Sequence, residues 1–138
     1  EAYPLPMDTI DALNYAQKED SELYRKLHEV EWESEQRISD HFFLKKIEAD
    51  FTNFDFRQFY NQFDVIYFDA FAPDVQDSMW TQEIFNAMFS ICQCGGIMTT
   101  YCAKGVVRRS MQSAGFVVER IPGPPGKREM LRAKKIIE

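Results

Sequence analysis

The sequence predicts an α/β fold built on a mostly parallel sheet, with one antiparallel strand near the C-terminus. Three observations carry this. The stretch Asp64-Val65-Ile66-Tyr67-Phe68-Asp69 is a continuous apolar run closed by an acid, the signature of a strand buried in a parallel sheet. Apolar strands alternate with helical stretches of about ten residues, which is the βαβ rhythm. The last two strands meet around the stiff loop Pro122-Gly123-Pro124-Pro125-Gly126, and so short a connection suits an antiparallel pair. Asp69 is thereby delivered to the C-terminal edge of the sheet, where ligands bind in open α/β folds. Pro73 lacks an N–H and biases Ala72 towards an extended conformation, so the chain must leave the ladder there.

Glu1 to Pro6 reads as the end of a strand and a turn, since Pro4 and Pro6 block continuation. Asp8 is the expected N-cap of a short helix with Ile10 and Leu13 inward. A second helix starts at Asp20 or Ser21, because Leu23, Leu27 and Val30 recur at helical spacing. Trp32 falls near its end, where a large ring packs. Glu33 to Asp40 is a linker or a fraying helix end. His41 to Phe51 reads as a strand finishing in Asp50 beside Phe51, and the dense Phe54, Phe56, Phe59, Tyr60 and Phe63 that follow suit a core. After the central strand, Ser78 or Thr81 caps a helix with the stripe Ile84, Phe85, Met88 and Phe89, ended by Gly95-Gly96. Ile97 to Cys102 is the next strand and Lys104 to Ala114 a helix closed by Gly115. Phe116 to Ile121 alternates as an edge strand does, and Glu129 to Lys135 closes the sheet.

With 138 residues, 45% of them hydrophobic, the chain is the size of one domain and can bury a substantial core. No apolar run is long enough to span a bilayer, and Glu1-Ala2-Tyr3-Pro4 has no signal-peptide character. Cys92, Cys94 and Cys102 are an odd set without a disulfide framework, which suits reduced thiols in a cytoplasmic protein. A zinc site on Cys92 and Cys94 would need further ligands, and His28 and His41 lie far off in sequence, so no metal is expected.

The net charge of −6 hides an asymmetry. Residues 104 to 138 hold nine Lys/Arg and three Glu, a balance of +6, which leaves −12 for residues 1 to 103. The acidic part speaks against general nucleic-acid binding, while the basic tail permits a local phosphate-contacting face. On charge alone, ordinary solvated surfaces are the favoured reading of both. Glu1, Asp50 and Asp69 each end an expected strand, so in a doubly wound sheet all three would line one edge. Acids in such places hydrogen-bond ribose hydroxyls.

At this point the sequence resembles a known family. Asp64 to Pro73, Met79-Trp80-Thr81, Gly95-Gly96, Thr100 to Arg109, Ala114-Gly115-Phe116 and Gly123 to Arg132 look like the methyltransferase domain of the MnmC type. The resemblance implies a Rossmann-like methyltransferase sheet, S-adenosylmethionine as cofactor, and methylation of an aminomethyl group on a wobble 2-thiouridine of tRNA. It implies Asp69 as the catalytic residue and a cofactor contact, with Glu1 on the ribose hydroxyls and Asp50, with Phe51 nearby, on the adenine. It implies substrate contacts by Phe71 and Pro73 against a flipped base, and by Lys104, Arg108, Arg109, Lys127 and Arg128 on tRNA phosphates.

The family's glycine-rich first turn precedes the residue matching Glu1, and no G-x-G-x-x-G occurs in these 138 residues. The reading is therefore a single partial domain, residues 1 to 138, lacking the first two strands. It is expected to bind cofactor weakly, to be inactive alone, and to cover its open edge as a homodimer. Two other readings stay open, a non-catalytic binding or assembly module and a methyltransferase for another amine.

Overall fold

The computed structural model describes residues 1–15 and 21–136. Its internal contacts divide into two units, 1–54 and 55–138, each described by itself below.

In the first unit, helix α1 spans Met7–Ala12 and α2 spans Ser21–Glu29. Pro6, not Asp8, occupies the N-cap position of α1, with φ −68° and ψ 154°. The proline ring pre-sets that extended entry, and the Pro6 carbonyl accepts the Thr9 and Ile10 N–H groups. Asp8 instead sits in the first turn, where its carboxylate takes the Thr9 N–H at 2.7 Å and faces the positive end of the helix. Ile10 is buried, but the helix ends before Leu13, which is exposed. Ser21 begins α2 as one alternative had it; Asp20 lies outside the described residues. Leu23 is exposed and Leu27 and Val30 are half-buried, so the apolar stripe of α2 is only partly covered. Arg25 ties the two helices together by pairing with Asp11 and Glu29.

Two sequence expectations fail in the next stretch. Residues 33–40 contain a strand, β1 (Glu35–Arg37), rather than a linker, and the strand expected over 41–51 is confined to β2, Phe43–Lys45. The two form an antiparallel hairpin with Gln36 opposite Leu44. The hairpin closes because the Ile38 and Ser39 N–H groups both reach the Phe42 carbonyl. Beyond Lys45 the backbone is drawn off to other partners, with the Lys46 carbonyl accepting the Glu33 N–H. Asp50 therefore ends no sheet strand; it caps the short helical turn Phe51–Asn53. Trp32 lies beyond the end of α2, with Lys46 Nζ over its ring at 4.8 Å. No strand forms over residues 1–6, yet the Glu1 amine donates to the Ile47 carbonyl and its carbonyl accepts the Ala49 N–H, both at 2.9 Å.

The second unit holds β3 (Phe63–Tyr67), α3 (Gln82–Ile91), β4 (Cys92–Thr100), α4 (Gly105–Ser113), β5 (Val117–Pro122) and β6 (Glu129–Lys134). The strand order is β3-β4-β6-β5, with β3 and β4 parallel and β6 antiparallel to both neighbours. Three strands thus run one way and β6 alone runs against them, the arrangement read from the sequence. The pairing sets out rows across the sheet. Ile66, Met98, Ala133 and Val118 form one row and are buried or half-buried beneath the helices; Val65, Ile97, Lys134 and Val117 form the next, on the open face.

The core is the covered face. Ile84, Phe85, Met88 and Ile91 of α3 and Val107 and Met111 of α4 are buried, as are Met98, Leu131 and Ala133 of the strands. Each large side chain there contributes about 1.5–3 kcal/mol by leaving water. Of the expected α3 stripe, Phe89 is half-buried and meets Phe116 edge to face at 5.0 Å. Thr81 is the α3 cap, its hydroxyl accepting the Ile84 N–H.

The structure corrects two points in this unit. Gly95-Gly96 does not end α3; Cys92 already turns extended and enters β4 directly. Gly95, at φ +83°, instead serves a bulge within β4, across which the register moves from Phe63 opposite Cys92 to Val65 opposite Ile97. The central strand, expected to be buried, is the sheet's edge: Val65 is 48% and Tyr67 82% exposed. Among the described residues β3 has β4 on one side and no strand on the other. Val65 and Tyr67, two apart along the strand, share its exposed face. No helix among the described residues is long and apolar enough to cross a membrane.

Candidate functional site

The Phe68 N–H still reaches the Thr99 carbonyl, so the ladder of β3 persists up to the residue before Asp69. There the chain leaves the sheet. The Ala72 carbonyl accepts both the Val75 and Gln76 N–H groups, closing a turn that begins at Pro73, whose fixed φ suits its first central position. Trp80 pins this turn from below. Its Nε1–H donates to the Phe71 carbonyl at 2.8 Å, while its ring packs edge-on against Phe68 at 5.2 Å and tilted against Phe85 at 6.3 Å.

The second wall comes from the end of β4. Thr100 is buried and its hydroxyl accepts the Cys102 N–H, turning the chain through Tyr101 to Lys104, the residue that precedes α4. The third wall is the loop between β5 and β6. Gly123 is required there, because a Cβ would stand 2.5 Å from the Lys127 carbonyl oxygen. The turn is held by Lys127 N–H to Pro124 O at 2.9 Å.

Between these walls lies a cleft of about 620 Å³, within the size range of small-molecule sites. It brings together Asp69, Pro73, Lys104 and Lys127 of the residues singled out from the sequence. Alanines and prolines and the Trp80 ring supply the apolar surface. The charged groups are near the surface: Lys104 pairs with Asp74, and Lys127 Nζ lies 5.6 Å from the Tyr101 ring centroid. A recess of about 90 Å³ adjoins Asp69, Tyr67 and Met130.

The remaining sequence candidates lie elsewhere. Phe71 offers its carbonyl to Trp80 while its side chain is 73% exposed and does not line the cleft. Arg108, Arg109 and Arg128 are not among its walls, and the Arg108 Nε is buried without a hydrogen-bond partner. Glu1 borders a groove of about 490 Å³ inside the first unit, beside Leu27, Trp32 and Phe42. Asp50 accepts from the Thr52 hydroxyl at 2.7 Å, the Thr52 N–H at 2.9 Å and the Asn53 amide at 3.1 Å. The Thr52 hydroxyl above all, then its N–H, hold the Asp50 carboxyl below the usual carboxylate range.

The basic tail is less available than its sequence implies. Arg132 is paired with Glu119, its direct partner across β5 and β6, and Arg120 with Glu129. Lys135 is buried, donating to the Phe89 and Cys92 carbonyls. The cysteines are all free thiols; Cys92 is buried, and burial pushes its pKa up. Among the described residues no group of three or more His, Cys, Asp and Glu converges as a metal site would require.

Trp80 and Tyr101 fall within the family-like blocks, but their places in the cleft wall depend on contacts that only the fold makes. The signal for Trp80 is an indole immediately before the helix cap Thr81 and a few residues after the Pro73 turn, a place where its N–H can find a carbonyl. A cleft at the C-terminal ends of two parallel strands, walled by the loops that follow them, is where this fold class binds ligands. A family model described as S-adenosyl-L-methionine-dependent methyltransferase matches residues 10–136, from within α1 to beyond the last strand. So long a match takes in the fold and not a single motif, and the chain belongs to the S-adenosyl-L-methionine-dependent methyltransferase family.

Proposed function

We propose that the protein methylates the aminomethyl group of a wobble 5-aminomethyl-2-thiouridine in tRNA, as the MnmC-type resemblance suggests. The observation that carries this reading is the cleft itself: a strand-end carboxylate, Asp69, within an apolar wall and with two lysines at its sides. The cofactor supplies an electrophilic methyl on a sulfonium. A carboxylate favours that cation, and Asp69 is of the right chemistry and in the right kind of place. Asp50, with two oxygens already accepting three hydrogen bonds, is anionic and retains capacity for one more donor, such as an adenine amino group. Glu1 is the proposed acceptor for ribose hydroxyls, and Phe51 the proposed packing surface beside Asp50.

The amine to be methylated must present a free lone pair, so positioning matters more than strong base chemistry. Asp69 would accept hydrogen bonds from the amine and hold its lone pair towards the methyl group, the N–C bond forming as the methyl's bond to sulfur breaks and the proton of the resulting ammonium passing to solvent. Ala70, Ala72 and Pro73 exclude water from one side, and Trp80 keeps their turn in place through the Phe71 carbonyl. Phe71 and Pro73 offer surface to a flipped base, and Lys104, Arg108, Arg109, Lys127 and Arg128 are the proposed phosphate contacts, in the cytoplasm where tRNA is modified.

The test is transfer of a labelled methyl group from S-adenosylmethionine to tRNA carrying the aminomethyl nucleoside, read by nucleoside digestion, with this chain and with one that adds the family's glycine-rich first turn. Label in the wobble nucleoside with the extended chain, little with this chain alone, and a loss of about 10²-fold in the extended Asp69→Asn variant are the expected results. Label on a free amine with no competition by tRNA would instead assign another amine substrate.

We further propose a homodimer through β3. The Gln62 N–H points to the end of α3 and the Phe68 N–H to β4, and the alternation of the strand then leaves the N–H and carbonyl groups of Val65 and Tyr67 facing outwards. A second copy pairing antiparallel about Val65 sets Phe63 against Tyr67 and Asp64 against Ile66. Aromatic residues meet, and no like charges do.

A further inference from the structure

Lys104 lines the cleft and is ion-paired with Asp74, which lies next to the lining residue Pro73 without lining the cleft itself. Asp74 follows Pro73 in the turn pinned by Trp80, and Lys104 immediately precedes α4 in an extended conformation. Both backbones are held, which brings the Asp74 carboxylate within reach of the Lys104 ammonium. Both side chains reach solvent, with Asp74 80% and Lys104 44% exposed. At the third wall Lys127 is held over the Tyr101 ring. Asp69, Asp74, Lys104 and Lys127 together sum to zero; without Asp74 they sum to +1.

We propose that Asp74 is a specificity residue of this cleft: it occupies Lys104 until a correctly seated RNA phosphate takes its place. This rests on the tRNA reading above. A phosphate oxygen and the Asp74 carboxylate compete for the same ammonium donors, and the two anions repel one another. A polyanion that merely drifts past meets a neutral rim and gains little. One whose base fills the apolar cleft brings its phosphate to Lys104 with enough other contacts to displace the carboxylate. Such a repulsive element lowers affinity for every anion and discriminates against those with the fewest other contacts.

The experiment measures binding of a fluorescein-labelled anticodon stem-loop RNA by anisotropy across a salt series. It compares the unaltered chain with Asp74→Asn, Lys104→Gln, the double variant, and Glu119→Gln. Glu119→Gln is the control for charge alone, since it too frees a cation, Arg132, from an exposed pair, away from the cleft. Asp74→Asn is expected to tighten binding about two- to five-fold at low salt and to steepen the salt dependence by about one ion. The gain should vanish in the Lys104→Gln background and be absent in Glu119→Gln. Saturable RNA binding with Asp74→Asn matching Glu119→Gln, or weakening binding, overturns the role of Asp74 and leaves the tRNA reading standing. No saturable binding by any variant overturns both.

Discussion

The Lys135 ammonium lies 2.8 Å from the Cys92 carbonyl oxygen and 2.9 Å from that of Phe89, with the Phe89 ring 4.7 Å away. These carbonyls end α3, where the helix has no further N–H groups to meet them, and a cation there also faces the negative end of the helix dipole. Lys135 is only 5% exposed, and its own backbone pairs with Gly95 and Gly96 across the bulge. A residue that the sequence counts among a basic surface thus joins the last strand to the helix before β4.

Replacing Lys135 with Met keeps the stem and removes the donors. The two carbonyls are then left without their partner, and the loss is expected to be about 2–4 kcal/mol of unfolding free energy. Urea denaturation measures it; a change below about 0.5 kcal/mol would mean that water replaces the ammonium freely.

Trp80→Phe retains a ring against Phe68 and Phe85 but has no Nε1–H for the Phe71 carbonyl. It should cost about 1 kcal/mol of stability and speed amide exchange at Val75 and Gln76, whose bonds to Ala72 close the same turn. Unchanged exchange at those two amides would show that the turn holds itself.

Val65→Pro removes an N–H that faces away from β4, so the fold should survive while the proposed pairing centre is lost. Light scattering at rising concentration should show a dimer in the unaltered chain and a monomer in the variant, with matching circular dichroism. A monomer in both cases rejects the dimer.

The Asp55 carboxyl is held at about 2, first by its hydrogen bonds to the Arg57 guanidinium and then by the Arg57 N–H. Its folded pKa lies below its ordinary value of 3.8, so its contribution is complete above that value and is lost as pH falls towards about 2. A carbon-detected titration of the carboxyl should show the low midpoint, and Arg57→Gln should return it towards the ordinary range. A normal midpoint in the unaltered chain would show that the exposed guanidinium is mobile.

Much of the second unit is legible in the sequence, because its elements follow local rules. Thr81 before a stripe of apolar residues makes a capped helix, the alternation of Val117 to Ile121 makes an edge strand, and the Pro/Gly loop makes a turn. Asp69 at a strand end and the lysines of the cleft were likewise readable as types of residue in types of place. What failed was wherever the outcome depended on a partner distant in sequence. Residues 41–51 have the composition of a strand, yet only Phe43–Lys45 finds another strand to pair with. Asp64 to Phe68 has the apolar character of a central strand but takes an edge, because hydrophobicity records what a segment can bury and not which neighbours it has.

The sequence by itself determined the periodicity of the second unit, the Thr81 cap, the Pro/Gly turn and the family, since each rests on the side chains of a few neighbouring residues. Tertiary structure alone decided that Asp74 meets Lys104, that Trp80 holds the Phe71 carbonyl, and that Lys135 is buried. Those contacts join residues 9, 30 and 43 positions apart, and only the packing of the sheet and its helices brings such separated groups within hydrogen-bond reach.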